Sequence, residues 1–214
     1  QNEDNVMDLL QNLLDHYKSL AINEYNTIQG FALGVENVDE FTVMHWDWTY
    51  HSEKVKNRHF KINDEMTRPY FELERVRQGV FNLATKLYGL TFKENKKIPV
   101  YNEDVTAYEV FDRRGNYISV LYTDFLQRPN KMSGAWMNSF QEQYIDEAEK
   151  DHRPHVVIVM NLSRPTETRP SLLTYSEVET LLHEFGHALH GMLSKCMYES
   201  LSGTNVEPDF VEFP

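Results

Sequence analysis

His183, Glu184 and His187 make the pattern H-E-x-x-H, with Phe185 and Gly186 between them. Four residues are about one turn of helix, so both imidazoles leave the same face. Two imidazoles one turn apart can hold a single zinc ion and leave room for a water. Glu184 stands next to the first imidazole, within reach of a proton on that water. These types at this spacing point to metal-assisted hydrolysis of an amide bond.

The surrounding residues must position that set. Val178, Leu181, Leu182, Phe185, Ala188, Leu189, Met192 and Leu193 recur at threes and fours, the stripe of a buried helix. Ser176 followed by Glu179 has the form of a capping box at its start. His183, Glu184, His187 and His190 interrupt the stripe. Leu193 occupies the place of the third histidine in the longer metzincin pattern, so a carboxylate from further along must complete the ligand set. Glu199, Glu207, Asp209 and Glu212 are the candidates, and spacing does not choose among them. Asp209 to Phe213 reads as the start of a short helix, with Pro208 favourable at an early position.

Earlier elements read as helices and then as strands. Val6 to Leu33 has helical spacing, with Gly34 as its stop. Trp46 to Phe60 reads as a shorter helix with Asp47 as N-cap, and Glu72 to Leu90 as another, with Gly89 near its end. The period then changes. Val105–Phe111 and Tyr117–Tyr122 read as strands joined by the turn Asp112–Asn116. His155–Met160 is a continuous apolar run, as a strand buried on both faces would be. The expected fold is α+β: mainly helical, with a small sheet inserted before the zinc-binding helix. The expected parts are a helical one over about 1–95, sheet and loops over 96–165, and the metal helix with its third-ligand segment over 166–214.

Longer stretches of the sequence resemble one family. His183-Glu184-Phe185-Gly186-His187-Ala188-Leu189-His190-Gly191, Leu201–Asn205 and Asp209–Pro214 are similar to the thimet oligopeptidase family of zinc peptidases, peptidase family M3. Trp46-Asp47-Trp48, Arg68–Phe71, Gly79-Val80-Phe81, Pro99-Val100-Tyr101 and Gly134–Met137 carry the resemblance upstream, in the family's order. The peptidyl-dipeptidase and oligopeptidase A branches look closest. The resemblance implies that His183, His187 and Glu212 bind Zn2+ and that Glu184 is the general base. It makes His190 a supporting or packing residue. Asp209, one turn before Glu212, is placed either to orient a ligating imidazole or to be a solvated carboxylate at a helix start. The resemblance implies a zincin-like peptidase releasing dipeptides from free C-termini, or alternatively one cutting inside short peptides. Members are several times longer than 214 residues, so the resemblance implies a fragment of the catalytic region. For the isolated polypeptide the alternative is an inactive metal- or peptide-binding piece.

Composition narrows the partners. A formal charge of −12 opposes binding to a phosphate backbone, so nucleic acid is not an expected partner. No apolar run approaches a membrane span of about 20 residues. Short peptides are the expected partners, and nothing in the sequence sets an oligomeric state. Cys196 is the one cysteine, which excludes an internal disulfide. With no signal peptide visible, a cytoplasmic home is expected, though a periplasmic enzyme without disulfides would read the same. Gly134-Ala135-Trp136, near the expected sheet, is a candidate edge for pairing with an extended substrate.

Overall fold

Val6 to Phe31 carries apolar residues three and four apart, and the chain there is one helix, α1 (Glu3–Glu36). The computed structural model describes residues 2–36 and 40–213. α1 runs past Gly34, where the sequence suggested a stop. Its second half is anchored: Ile28 and Ala32 are buried with Val43, and Trp48 stacks on Tyr25 at 6.4 Å. The apolar residues from Val6 to Leu20 are exposed. The next helix, α2 (Trp48–Phe60), is not capped by the Asp47 side chain, which accepts from the Met44 amide instead. Residues 1–63 form one compact unit and 64–214 another.

The second unit opens with α3 (Asp64–Thr67) and a 3-10 turn (Arg68–Tyr70). α4 (Leu73–Tyr88) follows and ends at Gly89, as its sequence predicts. The strands are β1 (Thr91–Glu94), β2 (Thr106–Phe111), β3 (Tyr117–Leu126), β4 (Trp136–Gln141), β5 (Tyr144–Ile145), β6 (Asp151–His152) and β7 (His155–Leu162). The main sheet has the order β1-β2-β3-β7-β4, and β5 pairs with β6 separately. β3 and β7 run parallel and the other neighbours in the main sheet antiparallel. A parallel pair needs a long crossover. Here that crossover carries β4, β5 and β6.

β7 lies between β3 and β4 and is buried on both faces, which explains its unbroken apolar run. Val156, Ile158 and Met160 face a large core shared with Val80, Phe81, Leu181, Phe185 and Met192. Val157 and Val159 face the other side, with Val105, Val120 and Tyr122. The helix after the sheet is α5 (Tyr175–Met192), followed by a 3-10 turn (Glu199–Leu201) and α6 (Pro208–Val211). Fold class is thus mixed α/β, with the sheet ahead of α5 as expected. No helix of the described residues is long and apolar enough to cross a membrane.

A buried charge cluster fixes the end of β3. Asp124 is 1% exposed, and accepts from Arg128 at 2.6 and 2.8 Å, Lys131 at 2.9 Å and Tyr101 at 2.7 Å. Lys131 also donates to the carbonyls of Asp124 and Leu126. Burial pushes the Asp124 carboxyl up, but these donors outweigh it and hold it at about 2, against 3.8 ordinarily. The group is therefore ionised in the folded chain where the unfolded chain would be protonated. Its stabilisation is complete above the unfolded value and is lost as pH falls through about 2, a difference of about 2 kcal/mol. Removing one partner of a buried ion cluster leaves the others uncompensated. Asp124→Asn should lower unfolding stability by about 3 kcal/mol in urea titration at neutral pH. It should also flatten the loss of stability between pH 4 and 2; an unchanged acid limb would contradict this role.

Candidate metal centre

α5 is set by its buried side. Leu181, Phe185, Ala188 and Met192 are buried, and Phe185 lies 6.1 Å from the Phe81 ring and 6.0 Å from Phe92. The helix starts at a capping box, although two residues earlier than Ser176 and Glu179 suggest. Thr174 Oγ1 accepts from the Glu177 amide, and the Glu177 carboxylate accepts from the Thr174 amide. Ser176 lies inside the first turn because the extended residue before the helix is Thr174. At the other end, Arg153 donates to the carbonyls of Met192 and Ser194, at 2.9 and 3.1 Å. A guanidinium there satisfies the last free carbonyls and opposes the negative helix end. Arg153 also holds the Ile118 carbonyl of β3, so it ties helix to sheet.

Gly191 lies at a close approach of α5 to the sheet. A Cβ there would lie 2.6 Å from Met137 Cε and 3.2 Å from Val156 Cγ2, with the Gly203 backbone nearby. The chain after α5 turns back through Ser194, whose hydroxyl meets Ser202 Oγ at 2.8 Å and accepts from the Gly203 amide at 3.0 Å. Gln143, itself buried, accepts from the Cys196 amide. This turn leads to α6 and places Glu212, its C-terminal flanking residue, opposite the α5 histidines.

Three donor atoms converge. His183 Nε2 and His187 Nε2 are 3.1 Å apart, and Glu212 Oε2 lies 3.3 Å from the first and 3.6 Å from the second. Donors about 2.1 Å from one tetrahedral ion stand roughly 3.4 Å from each other. The observed triangle fits that spacing. Two imidazole nitrogens this close need either a proton on one of them or a cation between their lone pairs. Of the four candidate carboxylates, only Glu212 joins the histidines among the described residues. Asp209 makes no hydrogen bond to either imidazole among those residues. His190 lies outside the trio, with its ring 5.9 Å from Phe210. Its Nδ1 is buried without a hydrogen-bond partner among the described residues, and burial, aided by His187, lowers its pKa.

A cavity of about 380 Å³ opens beside the trio, lined by Ala135, Trp136, Met137, Glu184, Thr204 and Val211 as well. Glu184 is 7% exposed, against 52% for the His183 side chain and 63% for that of Glu212. Burial raises the Glu184 carboxyl above its ordinary range, while the two imidazoles pull it back. A carboxyl held up in this way is a stronger base than an exposed one, as a proton-transfer group needs. Trp136 and Met137 belong to the edge of the sheet, since β4 has β7 on one side only, and Ala135 immediately precedes it. Gly134, at φ 100, makes the turn into this edge, and Asn161 pins it by donating to the carbonyls of Met132 and Gly134, both at 2.8 Å. The roles of Arg153 and Asn161 had no local sequence signal, because their partners lie tens of residues away. Thr204 and Val211 also line the cavity; both lie in stretches that carry the family resemblance, though neither is singled out there.

The profile of Peptidase family M3 matches residues 1–214. A dipeptidyl carboxypeptidase of Escherichia coli is 43% identical over 210 residues, covering 98% of this chain and 30% of that protein. The dipeptidyl carboxypeptidase of Salmonella typhimurium is 38% identical with the same coverage. Oligopeptidase A of Escherichia coli is 35% identical over 215 residues, covering all of this chain and 31% of that protein. The chain spans about three-tenths of the length of the curated relatives it matches.

Proposed function

The chain belongs to peptidase family M3, and on that premise we propose that it carries the metal-binding core of a zinc metallopeptidase that releases dipeptides from the C-termini of short peptides. The observation that carries this reading is the convergence of His183 Nε2, His187 Nε2 and Glu212 Oε2 within 3.6 Å of one another beside a buried glutamate. In this reading those three residues hold Zn2+ and the fold around them is zincin-like. Bound zinc supplies a polarised carbonyl and a more acidic water.

The chain's own residues then do the rest. Glu184 takes the proton of the attacking water and delivers it to the leaving amine. Its burial raises its basicity above that of an exposed carboxylate, which favours the first transfer. His183 and His187 present Nε2 as neutral rings. Phe185 and the caps at Thr174 and Arg153 hold the helix so that both rings face the cavity. The edge of β4 offers backbone groups for an extended peptide to pair with, which would lay its scissile bond along the cavity.

The dipeptide-releasing form is supported by relatives named dipeptidyl carboxypeptidase at 38% and 43% identity. Oligopeptidase A at 35% identity supports a second reading, internal cleavage of short peptides. In the whole protein, Glu184→Gln should keep its zinc and lose roughly a hundred-fold or more in kcat. A Glu184→Gln variant cleaving at the normal rate would remove the general-base role. Product masses separate the two readings. A dipeptide-releasing enzyme cuts a peptide with a free C-terminus and rejects its C-terminal amide, whereas equal cleavage of both into internal fragments supports the second reading.

A further inference from the structure

β4 leaves one edge of the main sheet open, and its backbone there is only partly free. In an antiparallel pair, alternate residues turn both N–H and C=O toward one neighbour. Asn138 and Ser139 sit opposite Val157 and Val156 of β7. The Ser139 amide does not donate to β7; it donates to the Asn138 side-chain oxygen at 2.8 Å. Ser139 therefore faces the open edge, and by alternation so does Met137, with Ala135 immediately ahead of the strand. A Met137 backbone hydrogen bond to the Glu184 carboxylate agrees with that parity. Immediately beyond, the pairing slips between Ser139 and Gln141, so Phe140 is a bulged residue.

Capped donors and bulges are the means by which sheet edges refuse a further strand. Both devices here lie at one end of the same edge, two and three residues past Met137, the last of the strand to line the metal cavity. Ala135 and the Met137 carbonyl are open beside the cavity, the Met137 amide being taken by the Glu184 carboxylate, and Ser139 is closed by its own neighbour. We propose that Asn138 is a specificity-determining residue: its carboxamide closes the β4 edge at Ser139, so that a bound peptide pairs only alongside Ala135 to Met137. This rests on the reading of the cavity as a peptidase site. It makes the enzyme indifferent to peptide residues that extend past Asn138, and so fits it to short peptides of varied length.

The test is a length series in the whole protein, with peptides extended one residue at a time at either end. In the wild type, KM stops improving once the peptide reaches Asn138. In Asn138→Ala, the Ser139 amide is released and can pair, and one more backbone hydrogen bond should lower KM about five-fold for the longer peptides. The change should appear at one end of the peptide only, with kcat unchanged. Asn138→Asp keeps an acceptor for the amide and should behave as the wild type. Ala135→Pro removes a donor from the used part of the edge and should raise KM at every length. Hydrogen exchange at the Ser139 amide should quicken in Asn138→Ala. Cleavage with the same length dependence in wild type and Asn138→Ala overturns the inference alone, as does a KM change equal at all lengths. No cleavage of any peptide by the wild type overturns the peptidase reading and the inference with it.

Discussion

Three donor atoms from two separate pieces of chain must meet around a space the size of one ion. His183 and His187 come from α5, and Glu212 comes from the end of α6. The first two are arranged by helix geometry alone, since four residues make about a turn. The third depends on tertiary structure. A carboxylate displaced by an ångström or two would leave two nitrogens 3.1 Å apart with nothing to complete the set. Much of the second compact unit serves this meeting. α5 is fixed at its start by Thr174 and at its end by Arg153, and at Gly191 it lies close to Met137 and Val156. The Ser194–Ser202–Gly203 contacts then return the chain toward the histidines.

The opposite wall of the cavity is held by a different kind of interaction. Asp124, Arg128, Lys131 and Tyr101 gather at the end of β3, where the chain leaves for the segment that becomes β4. Buried ions give little net stability for their desolvation cost, but they tolerate few alternative arrangements. Asn161 adds two hydrogen bonds close to Gly134. Between these anchors the chain is delivered to Ala135 and Trp136 in one register. The helix wall is thus set by apolar packing and caps, and the strand wall by charge and side-chain amides.

The sequence was most informative where a short-range rule was enough. H-E-x-x-H on a helix, the strands β2 and β3 with their turn, and β7 as a doubly buried strand follow from periods of 3.6 and 2, and the structure has each. The cap of α5 was misread by two residues because Ser176 and Thr174 each precede a glutamate by three, and only backbone geometry decides between them. Asp47 looked like a cap and is engaged with Met44. The choice of Glu212 over Glu199, Glu207 and Asp209 was open to spacing; family resemblance selected it, and the geometry brings that same carboxylate to the histidines. Arg153 and Asn161 carry no local signal, because nothing nearby in sequence marks a partner roughly 30 to 40 residues away; the Asp124 cluster pairs it with the near residues Arg128 and Lys131, but its burial is set by the fold around it.

The central claim is that His183, His187 and Glu212 form one zinc site, and zinc content tests it most directly. Elemental mass spectrometry after exhaustive dialysis should find close to one zinc per chain in the whole protein. Glu212→Gln should lower that content, and Asp209→Asn should leave it unchanged. A wild-type protein without zinc, or a Glu212→Gln variant that keeps its full complement, would contradict the account.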